Sequence, residues 1–275
     1  MKLEEYLERI GYRGDRRPTS AVLAAVQKAH AFAVPFENLD VQLGRPLTTS
    51  VEDAFAKIVE GNRGGWCYEQ NGLLGWALSE LGFDVVRTSA SVMRMEPGRD
   101  ATDSHLCLLV RSPDDVAKSY LVDVGFGGSL LQPLLLGTAT LDQPPYTVGT
   151  RLLDDGYWQF WENDGSGDFS FDFLARDGDE EAMSRRCRFL QRDPCSPFVQ
   201  NLVVQQRAGN KHTAVRGRVL KAMSPDGVNE RLLESAAELV AVLKQEFRLE
   251  VPEIATVWPR IVSRHEELFP GGAPE

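Results

Sequence analysis

The sequence predicts an α+β fold in three successive sections, helical in 1–82, β-rich in 83–190 and mixed α/β in 191–275. Three observations predict it. Apolar residues recur at helical spacing as far as Leu81, beginning with Leu3, Tyr6, Leu7 and Ile10. At Gly82 the pattern changes to short strand-like runs separated by turn residues. Beyond Asp193-Pro194, strand-like and helical stretches follow one another. With 275 residues, 43% of them hydrophobic, the chain can bury a sizeable core.

Taken in order, residues 2–10 form a first helix. After Arg17-Pro18, Thr19 or Ser20 caps a second one carrying Leu23, Val26 and His30, where His30 reads as a core or capping histidine. Pro35 ends that helix, and Glu37-Asn38 is a polar pair wedged between apolar residues. A buried Glu37 needs a cation, for which Arg63 is the candidate. Ser50 with Asp53 resembles a capping box and opens a third helix through Ala54, Phe55, Ile58 and Val59. A fourth starts near Cys67 and carries Leu73, Leu74, Trp76, Ala77, Leu78 and Leu81.

Strands are expected at 83–92, 105–110, 120–124, 159–161 and 169–173, with turns at 96–100 and 112–115. In the last section, strands at 198–205 and 213–220 precede a helix that Ser235 and Glu238 open. A further helical stretch follows Pro252, and 270–275 reads as a frayed tail. No repeats or low-complexity segments interrupt this order.

A net charge of −10 argues against general binding to nucleic acid or an anionic membrane surface. No run of about 18 apolar residues occurs, and Met1–Tyr6 lacks a signal-peptide core, which implies a soluble cytoplasmic protein. The four cysteines, Cys67, Cys107, Cys187 and Cys195, include no C-x-x-C pair. The four histidines, His30, His105, His212 and His265, include no H-E-x-x-H. A disulfide framework or metal site is therefore not expected, and one of the reduced thiols can be reactive.

The stretch Asn62-Arg63-Gly64-Gly65-Trp66-Cys67-Tyr68-Glu69-Gln70-Asn71 concentrates the chemistry. Unpaired backbone N–H groups and the positive end of a helix dipole favour thiolate over thiol at a helix start. The two glycines allow a sharp turn and close approach to the sulfur. Alone, the same stretch also fits a free cysteine packed in a core. A nucleophile needs a base, and the base an orienting partner. His105 opens an apolar strand, and Asp123 sits within Leu121-Val122-Asp123-Val124, where an unpaired charge would be costly. On neighbouring strands the carboxylate can hold one imidazole nitrogen while the other faces the thiol. The alternative is an Asp closing a turn and a His at a strand edge. Gly125-Phe126-Gly127-Gly128 is no dinucleotide fingerprint, and reads as a loop whose Phe126 fits either a pocket wall or core packing.

Arg63–Asn71 closely resembles the R-G-G-x-C-x-E-x-N signature of the arylamine N-acetyltransferases. Pro35-Phe36-Glu37-Asn38-Leu39 matches that family's P-F-E-N-L element. The His105 strand and Val122–Gly127 match two further blocks in the family's order, and Ser196-Pro197-Phe198 resembles another. The matches span roughly residues 6–205. The resemblance implies a cysteine-protease-like core: an N-terminal helical bundle carrying Cys67, a central antiparallel β-barrel carrying His105 and Asp123, and a C-terminal α/β lid. It implies a catalytic triad of Cys67, His105 and Asp123 and a ping-pong transfer without metal. Acetyl-coenzyme A acylates the cysteine, and an arylamine, arylhydroxylamine or hydrazine then takes the acetyl group.

By the same resemblance, Phe36, Phe126 and Phe198 line the acceptor pocket. Gly127 and Gly128, with Thr102 and Ser104, are candidates to hold the coenzyme's phosphates. Arg63, Glu37 and Glu69 read as braces of the cysteine turn. Lys211, His212, Arg216, Arg218 and Lys221 form a basic cluster that also fits a solvated strand edge. Competing readings are a cysteine hydrolase acting on amides, a related amide synthase without a coenzyme A donor, and a binding protein with a relic site. The intact Cys67, His105 and Asp123 count against the last. The preferred amine, the acyl chain and the oligomeric state, a homo-oligomer included, are left open.

Overall fold

The computed structural model describes residues 1–96, 98 and 101–270. The expected turn at 96–100 falls outside them at 97, 99 and 100, and the expected tail falls outside them at 271–275. The chain opens with α1 (Leu3–Arg9) and α2 (Ser20–Ala33), the second capped by Thr19, whose hydroxyl accepts from Val22 N at 3.3 Å. A short strand β1 (Phe36–Glu37) and one turn of helix, α3 (Leu39–Gln42), follow. Ser50 caps α4 (Val51–Phe55), accepting from Asp53 N at 3.2 Å. This helix widens into a π-helical turn, Ala56–Glu60, which a purely α-helical reading of the period misses.

Helix α5 (Cys67–Glu80) starts on the cysteine itself and is buried on nearly every side. Leu73, Leu74, Ala77 and Leu78 pack with Leu23, Val26 and Phe55 from the neighbouring helices. The same core takes in Leu108, Val110 and Val122 of the adjoining sheet. His30 lies in this region as a core histidine, hydrogen bonded to the Tyr6 hydroxyl at 2.9 Å and Gln70 Oε1 at 3.3 Å. Burial, with the Arg9 charge, holds its pKa down at about 3.

The β-rich section is an antiparallel sheet of β2 (Asp84–Val92), β3 (His105–Ser112), β4 (Asp115–Val122), β5 (Leu134–Leu135), β6 (Leu141–Gln143), β7 (Tyr146–Leu152), β8 (Trp158–Asn163) and β9 (Asp168–Phe173). Its order is β5-β4-β3-β2-β9-β8-β7-β6, so β3 and β4 are neighbours, with Leu108 opposite Val122. Strand β4 stops at Val122. Asp123 therefore lies just past a strand end, where loop N–H groups can reach it, and not inside the strand as its sequence context suggests.

Helix α6 (Glu180–Leu190) shows only Met183, Cys187 and Leu190 to the core, too thin a stripe to stand out in a charged stretch. The expected strand at 198–205 begins only at β10 (Val203–Ala208). Before it, Ser196 and Pro197 start the short helix α7 (Pro197–Gln200). The expected strand at 213–220 is a hairpin. It comprises β11 (Lys211–Arg216) and β12 (Val219–Ser224), turning at Gly217 with φ +59°. Strand β13 (Gly227–Leu232) and helices α8 (Ala236–Phe247) and α9 (Trp258–Leu268) complete the chain. The second sheet runs β1-β10-β11-β12-β13, so Phe36 pairs with Gln205 and ties the first section to the last. Among the described residues no helix is long and apolar enough to cross a membrane.

Candidate active site

The Arg63-Gly64-Gly65 turn runs beside Pro35–Glu37: Gly65 N donates to Pro35 O at 3.2 Å, and Glu37 N to Gly65 O at 3.1 Å. A Cβ on Gly64 would lie 2.3 Å from Pro35 O, and one on Gly65 would lie 3.0 Å from Glu69 Cβ. Gly64 lets backbone pack on backbone, and Gly65 lets the Glu69 and Ile58 side chains close on the turn. Neither glycine is the clearance beside the sulfur that the sequence suggested. The close approach to the cysteine is made instead at Gly125, where a Cβ would sit 2.6 Å from Cys67 Cα and 3.1 Å from Cys67 Cβ. Gly125→Ala should therefore push the loop after Asp123 away from Cys67. The rate of Cys67 acylation, read by intact-protein mass spectrometry, is expected to fall about 100-fold.

Beneath the turn lies a buried charge cluster. Arg63 Nη2 meets Glu37 Oε1 at 2.8 Å, as expected, and Asp40 Oδ1 at 3.3 Å. Lys57, whose side chain is 12% exposed, reaches Glu69 at 2.9 Å, Asp40 at 3.0 Å and Glu37 at 3.7 Å. Glu69 Oε2 in turn accepts from Trp66 N at 3.1 Å, fixing the residue before the cysteine. Burial pushes the Glu69 pKa up and Lys57 opposes it. Burial would lower the pKa of Lys57, but Glu37, Glu69 and Asp40 more than reverse this. Lys57 and Asp40 carry no sequence signal, because Lys57 falls off the apolar stripe of its helix. Lys57→Met leaves the buried Glu69 without its cation, while Arg63 and the partly exposed Arg45 still serve Glu37 and Asp40. Urea unfolding should show a loss of about 3–5 kcal/mol.

Cys67, His105 and Asp123 are 3%, 2% and 2% exposed. His105 Nε2 lies 2.5 Å from Asp123 Oδ2, which leaves Nδ1 as the second imidazole nitrogen. Burial alone would depress the His105 pKa. The charge and hydrogen bond of Asp123, helped by a hydrogen bond to Cys67, outweigh it and push the value up to about 10. Asp123 Oδ1 accepts from Gly125 N at 2.7 Å and Asn71 Nδ2 at 3.1 Å. Asn71 also donates to Leu106 O at 2.6 Å and accepts from Val124 N at 2.9 Å. Asn71 thus holds the carboxylate, strand β3 and the loop after β4, one helical turn after Cys67 on the same face. Its spacing from Cys67 was the available signal for this role.

Two aromatic groups border the site, one beside Cys67 and one beside His105. Phe36 and Phe198 approach at 6.2 Å between ring centroids, and Phe198 meets Trp66 edge-on at 5.6 Å. Phe36, Trp66, Cys67 and Leu106 form one cluster, with Phe198 against it. Phe126 lies 5.3 Å from the His105 ring and stacks on Phe169 at 5.0 Å. Trp66 and Phe169 were not singled out from sequence.

Thr102 is exposed in the turn ahead of His105, and the Ser104 hydroxyl accepts from Val92 N at 3.1 Å. Gly127 and Gly128 are buried at φ +103° and +90° and pack against the Gln205 and Arg207 side chains. Gly127 O accepts from His212 Nε2 at 2.9 Å, and His212 Nδ1 faces the Tyr146 hydroxyl at 3.1 Å. Burial holds the His212 pKa at about 4, so this member of the basic cluster points inward, uncharged at neutral pH.

The geometry combines a thiol at a helix start, an imidazole beside it, a carboxylate behind the imidazole and aromatic walls. That is equipment for acyl transfer through a thioester. A family model described as N-acetyltransferase matches residues 19–256. The arylamine N-acetyltransferase of Mycolicibacterium smegmatis is 36% identical over 271 residues, 93% of this chain and 94% of that protein. The Mycobacterium marinum arylamine N-acetyltransferase structure superposes with a TM-score of 0.86 at 32% identity, covering 97% of this chain and 99% of that one. Its complex with coenzyme A gives 0.85 over the same shares. The chain belongs to the arylamine N-acetyltransferase family.

Proposed function

We propose that the protein moves an acetyl group from acetyl-coenzyme A to an arylamine, arylhydroxylamine or hydrazine in a ping-pong cycle through a Cys67 thioester. The observation that carries this is the joining of Cys67, His105 and Asp123 into one buried, hydrogen-bonded set. In the first half, Cys67 sulfur attacks the acetyl carbonyl, the new C–S bond forms, and the bond to the coenzyme's sulfur breaks. The thiol proton passes to His105 and from there to the departing coenzyme thiolate. In the second half the amine nitrogen attacks the thioester, His105 takes the amine proton, and Cys67 leaves as sulfur anion. N–H groups in the first turn of α5 serve the tetrahedral oxyanion. Asp123 keeps a proton on Nε2 and stabilises the imidazolium that forms when His105 takes the thiol proton.

Phe36, Phe126 and Phe198 then wall the acceptor pocket. Thr102, Ser104, Gly127 and Gly128 are the proposed contacts for coenzyme A, the molecule found with the Mycobacterium marinum relative. The sections 1–82, 83–190 and 191–275 act as helical bundle, barrel and lid around a protease-like core. The setting is cytoplasmic, with small molecules rather than nucleic acid or membrane as partners. Incubation with acetyl-coenzyme A alone should add one acetyl group to Cys67, and an aromatic amine should remove it as the N-acetyl product. A Cys67 that stays unmodified overturns the reading.

A further inference from the structure

On the inward face of β8 and β9, Phe160 pairs with Phe171 and Glu162 pairs with Phe169. The ring of Phe126 covers three corners of this square, at 5.8 Å from Phe160, 4.9 Å from Phe171 and 5.0 Å from Phe169. The fourth corner is a carboxyl. Glu162 is 9% exposed, and its Oε2 has no hydrogen-bond partner. The Ser129 hydroxyl stands beside it, while Arg207 acts on it only at a distance, its own guanidinium bonded to the Pro144, Gln143 and Gly209 carbonyls. Burial foremost, with the charges of Asp123 and Asp164, raises the Glu162 pKa to about 8.

A position that served packing alone would be filled best by another apolar side chain, because a buried carboxyl oxygen without a donor is costly. His105 borders Phe126 directly, and Glu162 lies opposite Phe169, the ring stacked on Phe126, so the base and the unused acceptor stand on either side of this aromatic group. An aryl ring laid along Phe126 with its nitrogen at His105 directs its opposite position toward Glu162. Phe169, 42% exposed, is the ring that yields to it. Resting on Cys67 as the acetyl carrier, we propose that Glu162 is a specificity-determining residue. It accepts a hydrogen bond from a hydroxyl, amino or amide N–H group carried on the acceptor ring opposite the reacting nitrogen.

The test uses two acceptors of nearly equal shape, 4-aminophenol and 4-methylaniline, with the full-length enzyme and the variants Glu162→Leu and Glu162→Gln. The quantity is the ratio of kcat/KM for the two amines, compared with wild type so that their intrinsic reactivities cancel. Glu162→Leu should lower that ratio about 10- to 100-fold. Glu162→Gln, which keeps an acceptor oxygen, should retain most of it. Circular dichroism melting confirms that each variant is folded. A ratio unchanged in Glu162→Leu, or an equal fall for both amines, overturns the assignment. If wild-type Cys67 takes no acetyl group, the reading of the function fails instead. Calorimetric titration of the two amines then decides the Glu162 question without turnover: preference for 4-aminophenol lost in Glu162→Leu supports it, and preference unchanged overturns it.

Discussion

Cys67→Ala removes acyl transfer, with an expected loss of about 10⁴-fold or more in N-acetyl product formation. No other thiol can substitute. Cys107 is fully buried on β3, and burial raises its pKa well above that of an ordinary thiol. Cys187 is buried on α6 and pushed up to about 12, first by burial and then by the Cys67 and Glu69 charges nearby. Cys195 is exposed, on the connection between α6 and α7. The fold should survive, because the change deletes one sulfur from a helix that remains anchored by Leu73, Leu74 and Leu78. A stability loss of about 1 kcal/mol, a few degrees in Tm, is the expected scale. The variant should show no acetyl adduct by intact-protein mass spectrometry. Turnover within tenfold of wild type would remove Cys67 from the mechanism.

The start of α5 was legible because two independent cues coincide at Cys67: a glycine turn before it and an apolar helical stripe beyond. His105 stood out because only four histidines compete, Asp123 because its carboxylate sits in an apolar run, and their pairing with Cys67 came from the family resemblance. What was not legible depends on contacts between distant parts of the chain. Asn71 and Asp123 lie 52 residues apart, and nothing local marks the hydrogen bond between them. The role of Gly125 requires knowing that Cys67 lies against it, and Lys57 turns inward where the helix widens into a π turn. In the last section, the expected strand at 198–205 begins only at Val203, because local capping by Ser196 and Pro197 overrode a β-like composition before it. Glu162 passed unnoticed for the opposite reason. A lone carboxylate in an alternating strand reads as solvent-facing until the register places it beside Phe160 on the inward face.

Asp123→Asn should cost about 10⁴-fold in the rate of Cys67 acylation while changing few contacts. The direction follows from the partners of the carboxylate. Oδ1 accepts from both Gly125 N and Asn71 Nδ2, so an asparagine must keep its carbonyl oxygen there. Its amide nitrogen then faces His105 Nε2 and donates to it. The imidazole is driven to the tautomer protonated on Nδ1, which points a proton at the sulfur and cannot accept one. The charge is lost as well, so burial is no longer opposed and the His105 pKa must fall from about 10. Iodoacetamide labelling of Cys67 should be slower at neutral pH than in wild type, because the imidazolium that stabilises the thiolate is weakened. The stability linkage has the same origin. A histidine raised from 6.5 to about 10 stabilises the fold fully below pH 6.5 and loses that contribution as pH rises through about 10. The wild-type advantage in Tm over Asp123→Asn should therefore shrink across that interval. An advantage independent of pH, together with an acylation rate within tenfold of wild type, would make Asp123 a turn-closing residue, since only a carboxylate bonded to His105 couples the tautomer, the charge and the pH dependence.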